Sequence, residues 1–474
     1  MKLRFEELPS LIQCRLHPAG LKGDLGPSSM DSRLLNRGDL FWALQGEDSD
    51  GHDFVGSALE KGARAVVVRE DWFGKNSAGF PNASFIVVAD PLKALQDLAR
   101  RHRRRFAIPI LALTGSNGKT STKEMIAAAL CKQFRILKSP GNYNNHIGVP
   151  LTLLQLDDAA EIVVIEMGTN HPGEIGWLCS IAQPTAGLVL NVGPAHLEGF
   201  GSVASVALEK NALYESLPET GIAFFNLDDP LVATMSSPAR TKIAYGFAAS
   251  PDSRFDKIIT AKKLDLTEDG LPGLQIAKTK IRLSLPGLVQ LSNALAAVAV
   301  AEYFGVPMAS IAEALSTLPP VKGRMNVHIA GGITLIDDTY NANTASTQAA
   351  LDYLGNLQVK GRRIAVLGDH LELGAASESE HRKIGKLLLI PAISGAILIG
   401  DQMRHAWAEF SGCGKMAVYY DHPDEYDDIV DILLKILRPG DAILIKGSRG
   451  MKLEKISEGL LRGLEPANLT TEVA

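Results

Sequence analysis

An apolar strand that runs through a glycine loop into a helix sets the terms for everything else in this chain. Ile108, Ile110, Leu111 and Leu113 read as a buried strand, and Lys123-Glu124-Met125-Ile126-Ala127-Ala128-Ala129-Leu130 reads as helix. Between them lies Thr114-Gly115-Ser116-Asn117-Gly118-Lys119-Thr120-Ser121. Strand, loop and helix in that order predict a grip on a nucleotide triphosphate. Glycines at 115 and 118 let backbone N–H groups approach phosphate oxygens, Lys119 brings a mobile positive charge, and the Thr120 hydroxyl is a ligand for Mg²⁺. The usual Gly-x-x-x-x-Gly-Lys-Ser/Thr pattern would require glycine at 113, where this chain has leucine. The loop is a shorter one, Gly-x-x-Gly-Lys-Thr preceded by threonine.

A core that stops growing at roughly 250 to 300 residues cannot organise the whole chain. At 474 residues, about three domains are expected. A net charge of −5 argues against a general affinity for nucleic acid or anionic membrane, so any basic site must be local. Cys14, Cys131, Cys179 and Cys413 match no metal or redox spacing and predict free thiols in a reducing compartment. The opening segment Met1-Lys2-Leu3-Arg4-Phe5-Glu6-Glu7 has acids where a signal peptide would place its apolar stretch. No run approaches the roughly 20 apolar residues of a membrane span. A cytoplasmic protein that binds neither nucleic acid nor membrane is expected.

The first hundred residues alternate strand-like runs, Ala65 to Val68 and Phe85 to Val88, with helical stretches such as Pro91 to Arg100. This unit closes at Arg100-Arg101-His102-Arg103-Arg104-Arg105, which reads better as a solvated helix end and linker than as a nucleic-acid patch. Strand and helix then alternate through Ile162 to Ile165, Gly187 to Leu190, Ile222 to Phe225 and the alanine-rich helix from Ser292 to Glu302. That alternation predicts a mostly parallel sheet covered on both faces. Leu318-Pro319-Pro320 interrupts it. Beyond, Ile364 to Asp369, Ala396 to Asp401 and Ala442 to Gly447 are buried strands ending in glycine and a polar residue, the place where open α/β sheets collect ligands. The expected class is α/β in three domains. A small N-terminal α/β domain spans 1–106, a central P-loop parallel-sheet ATPase domain 107–320, and a C-terminal Rossmann-like domain 321–474.

Three further residues gather around the loop. Glu166 closes a strand, so its carboxylate sits at the strand end facing the loop, where an Mg²⁺–nucleotide needs an oxygen ligand. His196 follows a glycine and proline turn at another strand end. Lys210 falls on the helical stripe of Val203, Val206, Leu213 and Leu217, so this lysine points inward. An unpaired ammonium is costly to bury, so it must be paired, neutral or chemically modified.

With these residues in place the chain resembles the Mur ligases, ATP-dependent amide-forming enzymes of peptidoglycan precursor synthesis, over nearly its whole length. The short Thr-Gly-x-Asn-Gly-Lys-Thr loop is that family's version of the phosphate loop. Asn142-Tyr143-Asn144-Asn145-His146-Ile147-Gly148-Val149-Pro150-Leu151, Glu166-Met167-Gly168 and Asn191 to His196 match as well. Asp31-Ser32-Arg33, Gly38 to Phe41, Leu44-Gln45-Gly46 and Asp50 to Phe54 look like the family's uridine-nucleotide-binding domain. Asp337-Asp338-Thr339-Tyr340-Asn341-Ala342-Asn343, Leu367 to Asp369 with Glu372 to Gly374, and Lys446-Gly447-Ser448-Arg449-Gly450 resemble the branch that adds a dipeptide. The Asp-Asn-Pro-Arg motif of the diamino-acid-adding branch is missing.

The resemblance implies that UDP-N-acetylmuramoyl-tripeptide and D-alanyl-D-alanine are joined at the cost of ATP, through an acyl phosphate, with two Mg²⁺ ions. It implies Lys119, His196 and Lys210 as catalytic residues, and Thr120, Glu166, His196 and Lys210 at the metals, with Lys210 carried as an N-carbamate. Thr114 to Ser121 would hold phosphates, and Asn293, Arg324 and Asp338 the nucleoside. Ser32, Arg33, Gln45 and Gly46 would meet the uridine nucleotide, Asn144 and Asn145 would also bind substrate, and Tyr340 and Asn341 would line the space between the last two domains. Lys446, Ser448 and Arg449 would meet the dipeptide carboxylate, for which arginine is geometrically suited. A monomer is expected.

Val289 and Gln290 stand where the family commonly has histidine and asparagine, Thr344 where it has proline, and His370 where it has methionine. The rivals are another Mur ligase, or a relative of folylpolyglutamate synthetase, which shares the short loop but lacks a uridine-nucleotide domain. A nucleotide-binding module without synthesis would leave the inward Lys210 unexplained.

Overall fold

The computed structural model describes residues 3–46, 49–267, 270–422 and 426–464. The ends of the N-terminal and C-terminal expectations, at 1–2 and 465–474, lie outside them. Among the described residues the chain forms three sheets with parallel cores and one small antiparallel sheet.

The central sheet has seven strands in the order Lys257–Thr260, Thr241–Gly246, Ile222–Asn226, Ala186–Val189, Ile110–Thr114, Ile162–Glu166, Ile136–Lys138, all parallel. Alternate residues of the loop strand serve opposite faces, as a strand's period of two requires. Leu111 and Leu113 pack with the helices Lys119–Leu130 and Val289–Tyr303, whereas Ile110 and Ala112 pack with Glu174–Ala182 and Val203–Glu215. Both faces are covered, and the strand is wholly buried. The chain moves outward from Ile110–Thr114 to Ile136–Lys138, returns to Ile162–Glu166, and then crosses to Ala186–Val189. A reversal of this kind opens a crevice at the carboxyl ends of the strands, and the glycine loop lies at its centre.

The N-terminal sheet runs Arg15–His17, Phe85–Val88, Ala65–Arg69, Leu40–Trp42, Ser28–Ser29, with the first strand antiparallel to its neighbour. Its helix Pro91–Arg103 ends in the basic run. That run is less solvated than its composition predicts. Arg103 is buried and donates to the carbonyls of Phe106, Ile108, Ala182 and Gln183, while His102 bonds the Leu156 carbonyl at 2.9 Å. Five guanidinium N–H groups suit a cluster of carbonyls left open at a helix end, so Arg103 clamps the N-terminal unit to the central one.

The C-terminal sheet runs Asn326–Ala330, Ile333–Asp338, Ala442–Lys446, Arg363–Gly368, Gly395–Ile399, Met416–Tyr420, parallel except for the first strand. Three of these strands are legible as apolar runs in the sequence; Asn326–Ala330, Ile333–Asp338 and Met416–Tyr420 are not. The sequence reading also misses the small sheet Lys262–Leu264, Gly273–Ile276, Thr279–Arg282. No helix among the described residues is long and apolar enough to cross a membrane.

Candidate active site

The phosphate loop is pinned to the exit of the neighbouring strand. Asn117 N–H donates to Asn191 Oδ1 at 2.8 Å, and Asn191 Nδ2 returns a bond to the Asn117 carbonyl at 3.0 Å. Ser116 Oγ accepts from Gly193 N–H at 2.9 Å. Gly118 has φ +80°, and a Cβ there would lie 2.5 Å from Asn293 Oδ1. Left-handed backbone and a close approach together require glycine. Asn293 is oriented in turn by Gln290, whose Oε1 accepts from Nδ2 at 2.9 Å. The Gln290 departure therefore fixes the orientation of the Asn293 side chain. Lys119 Nζ donates to its own loop's Gly115 carbonyl at 2.8 Å. Burial lowers the pKa of this ammonium; Glu166 counters the shift and Arg324 adds to it.

Glu166 is 2% exposed at the end of its strand. Asn144 Nδ2 donates to Oε1 at 2.9 Å, and Oε2 is buried without a hydrogen bond. A carboxylate with one oxygen held and the other without a hydrogen bond, 3.6 Å from the Lys123 ammonium, suits a cation ligand. Among the described residues no three His, Cys, Asp or Glu side chains form a metal cage. Mg²⁺ needs none, because it binds through one or two carboxylates with substrate phosphates and water.

Lys210 is directed inward, as its stripe predicts, and is 2% exposed on the helix Val203–Glu215. Among the described residues no acid or carbonyl takes its ammonium. Adjacent Glu209 is committed elsewhere, accepting from Gly173 N–H at 2.6 Å and Ile175 N–H at 2.7 Å at the start of the helix Glu174–Ala182. Burial, reinforced by Lys119, pushes the Lys210 pKa well below the ordinary lysine value. Lowering it enlarges the neutral fraction, the form that reacts with carbon dioxide. Of the three sequence alternatives, a salt bridge within the described residues is thus removed.

The C-terminal unit closes the site from the far side. Arg324 Nη2 donates to Thr120 Oγ1 at 3.0 Å while its guanidinium lies 4.1 Å from the Tyr340 ring centre. Asn343 Nδ2 donates to Asn117 Oδ1 at 2.6 Å. His196 Nδ1 pairs with Glu372, and that bond holds the Glu372 carboxyl below its ordinary pKa. The pairing assigns the proton to Nδ1 and leaves the other ring nitrogen for a ligand. Asp338 accepts from Met325 N–H at 3.1 Å and from Lys446 Nζ at 2.6 Å.

Several expected contacts are already occupied. Lys446 is 2% exposed and bound to Asp338 and to the Asn341 carbonyl, so it braces these two residues against each other. Ser448 is buried, and its Oγ accepts from Leu371 N–H at 2.9 Å. Arg449 is more open, paired with Glu454 at 3.1 Å. Asn145 Oδ1 accepts from the N–H of Gly148, the first residue of the helix Gly148–Leu153, at 2.9 Å. Thr344, in the first turn of Thr344–Asn356, replaces proline's fixed φ with a hydroxyl bond to Glu380 at 2.5 Å. His370 is 2% exposed, and burial drives its pKa far down, so a neutral imidazole bonded to Thr347 fills a methionine's place.

A cleft of about 690 Å³ brings together Ser116, Asn117, Gly118, Lys119, Ser121, Asn144, Asn145, Glu166, His196, Asn293, Arg324, Asp338, Tyr340, Asn341 and Lys446. Ser32, Arg33, Gln45 and Gly46 do not line it. They belong to the N-terminal unit, where Arg33 pairs with Asp31 at 2.8 Å and Lys61 Nζ bonds the Ser32 carbonyl at 2.8 Å. The sequence reading missed Lys123, Glu209 and the Trp177–His146 stack at 6.1 Å, two rings that also line the cleft.

Three family models match this chain: Mur ligase family, catalytic domain over 28–103; Mur ligase middle domain over 113–301; and Mur ligase, glutamate ligase domain over 323–449. The chain belongs to the Mur ligase family. A relative from Escherichia coli (strain K12), named UDP-N-acetylmuramoyl-tripeptide--D-alanyl-D-alanine ligase, is 36% identical over 466 residues, covering 97% of this chain and 98% of the relative. A Bacillus subtilis (strain 168) relative of the same name is 33% identical, with 91% and 92% covered. Among solved Mur ligases, a MurF structure from Acinetobacter baumannii superposes with a TM-score of 0.82 at 28% identity, covering 97% of this chain and 99% of that one. MurF ligase from Thermotoga maritima in complex with ADP gives 0.74 at 28% identity, covering 93% and 98%. As a Mur ligase, the chain carries its phosphate loop in the matched middle segment and Arg324, Asp338 and Lys446 in the matched C-terminal one.

Proposed function

We propose that this Mur ligase joins D-alanyl-D-alanine to UDP-N-acetylmuramoyl-tripeptide with hydrolysis of ATP to ADP and phosphate, in the cytoplasmic synthesis of peptidoglycan precursors. The observation that carries the reading is the cleft itself. A phosphate loop, a strand-end carboxylate and the residues of a second parallel sheet face one another across it, in a chain similar over almost its full length to relatives named for that reaction. In this division 1–106 holds the uridine nucleotide through Ser32, Arg33, Gln45 and Gly46, 107–320 holds ATP, and 321–474 holds the dipeptide.

A carboxylate does not acylate an amine at neutral pH. The terminal carboxylate of the tripeptide therefore takes the γ-phosphoryl group of ATP, giving an acyl phosphate and ADP. The dipeptide amine attacks that carbonyl, a tetrahedral intermediate forms, and phosphate leaves as the amide is made. Bringing a carboxylate to a triphosphate is opposed by like charge. Lys119 must release the Gly115 carbonyl and turn to the phosphates, offsetting part of that repulsion. Asn144 and Asn145 line the tripeptide side of the cleft, and Tyr340 and Asn341 the other. Arg449, far more open than Lys446, takes the dipeptide carboxylate, with Lys446 and Ser448 supporting the strand end from which it projects.

Two Mg²⁺ ions fit the donor set of Thr120, Glu166, His196 and an N-carbamate of Lys210, and when bound they neutralise phosphate oxygens and polarise the transferring group. Lys210 meets the chemical requirements for that modification: it is buried, unpaired and depressed in pKa. As a carbamate it would turn its repulsion of Lys119 into attraction. The chain acts as a monomer in this reading.

Phosphate release is the test. It should require both UDP-N-acetylmuramoyl-tripeptide and D-alanyl-D-alanine, and release at full rate with either one alone would remove the ligase reading.

A further inference from the structure

Lys123 is fully buried, one helical turn beyond Lys119, and the reaction above makes no use of it. Its ammonium donates to the Gly141 carbonyl at 2.9 Å and lies 3.4 Å from Glu124 Oε1 and 3.6 Å from Glu166 Oε2. The last of these atoms is the oxygen of Glu166 that has no hydrogen bond. A buried ammonium is retained only where it is paired and bonded, and a methionine of similar volume would fill the same space without that penalty. The charge itself must therefore matter. Set against a carboxylate that faces the phosphate loop, a fixed cation does two opposed things. It compensates the buried carboxylate while the site is empty, and it weakens that carboxylate's attraction for any second cation.

We propose that Lys123 is the resident counter-ion of Glu166 and makes metal entry depend on the nucleotide. With Glu166 neutralised in place, the protein alone offers a divalent cation too little negative charge to bind well. A triphosphate or diphosphate adds that charge, and the metal then arrives with its nucleotide rather than ahead of it. Glu124 shares the ammonium with Glu166, so the strength of the brake is set by how far Lys123 is drawn to one acid or the other. Lys123 is a positioning residue in this scheme; it touches neither substrate nor phosphate. The inference rests on Glu166 being a metal ligand, as proposed above.

Mn²⁺ titration of the full-length protein, followed by electron paramagnetic resonance, tests it without any turnover. Lys123→Gln keeps a donor for the Gly141 carbonyl and removes the charge. It should bind Mn²⁺ at least about tenfold more tightly than the wild type in the absence of nucleotide, while with ADP present the two should differ by less than about threefold. Adding Glu166→Gln to that variant should abolish the gain. Glu124→Gln, at a more exposed position, should act in the opposite direction by releasing Lys123 toward Glu166, and it decides the matter if Lys123→Gln does not fold. Unchanged or weaker Mn²⁺ binding in folded Lys123→Gln would overturn the counter-ion role. If Glu166→Gln alone bound Mn²⁺ and ADP as the wild type does, the metal-ligand assignment would fail instead.

Discussion

Arg324 reaches from the segment before the C-terminal sheet to donate a 3.0 Å hydrogen bond to the Thr120 hydroxyl, the group that follows the phosphate-loop lysine. The hydroxyl expected to serve a metal is thus held by an arginine expected to serve the nucleotide. Both roles are served if Arg324 shifts to the phosphates or base when ATP enters, and its stacking on Tyr340 at 4.1 Å fixes the hinge about which it would turn. Removing a charged donor of this kind costs about 1.5 to 3 kcal/mol. Arg324→Ala should raise the KM for ATP by about 10- to 100-fold with a smaller change for D-alanyl-D-alanine. Lysine at 324 should recover only a minor part, because it loses the planar stack. Steady-state kinetics with each substrate varied in turn measures the split, and an equal rise in all three KM values would contradict it.

Gly118 is expected to tolerate no side chain. Alanine there would take up a left-handed backbone, φ +80°, and place its Cβ 2.5 Å from Asn293 Oδ1. The backbone strain is about 1 to 3 kcal/mol, a drop of a few degrees in Tm for a domain of this size. The larger effect falls on function, because the clash pushes Asn293 off Gln290 and away from the nucleotide. Gly118→Ala should therefore remain folded by circular dichroism and lose most of its affinity for ADP by calorimetry. Retention of wild-type ADP binding would show that the loop accommodates the methyl group.

Legibility in the sequence followed the physics of burial. Ile162–Glu166 and Ala442–Lys446 are legible because a strand buried on both faces is apolar up to its last residue. Lys262–Leu264 carries no such run, and two of its three residues are solvent-facing. The same contrast separates two lysines. Lys210 betrayed itself by interrupting an apolar stripe, whereas the helix bearing Lys123 is buried on nearly every side and presents no stripe to interrupt. Arg103 was hidden in the opposite way, since a basic run looks solvated even when one member turns inward to bind carbonyls. Contacts made across units, such as Asn343 with Asn117 and Glu372 with His196, join residues too far apart in the chain for spacing to relate them.

The packing of the helix Glu174–Ala182 makes a chemical prediction through Cys179. Burial disfavours the thiolate and pushes this thiol up to about 12. At pH 8 its thiolate fraction is then about one in ten thousand, and it rises about tenfold per pH unit. Exposed Cys131 and Cys413 should be alkylated by iodoacetamide in the native protein at pH 8, while Cys179 stays free until the chain is unfolded. Peptide mass spectrometry after timed labelling reads this directly. Labelling of native Cys179 at the rate of Cys413 would mean that the helix opens far more readily than its packing implies.

Lys210 supplies the sharpest functional prediction, because size, charge and chemistry make different demands at its position. Lys210→Ala removes an ammonium that has no ion-pair partner among the described residues, so the fold should lose little from electrostatics and something from the cavity, about 2 kcal/mol at most for the apolar stem. If the lysine acts as a carbamate, the variant lacks an anion rather than a cation, and small carboxylates such as formate or acetate can enter the space and restore part of the activity. If it acts as an ammonium, carboxylates should do nothing and small amines should help. The depressed pKa adds a pH sign: the neutral amine that carbon dioxide requires is lost as pH falls through that lowered value, so wild-type activity in carbonate-free buffer should fall on acidification and recover on returning to higher pH with bicarbonate. Rescue of Lys210→Ala by carboxylates but not by amines, with rates measured by phosphate release, is the expected result. The reverse pattern would eliminate the carbamate while leaving the ligase assignment intact.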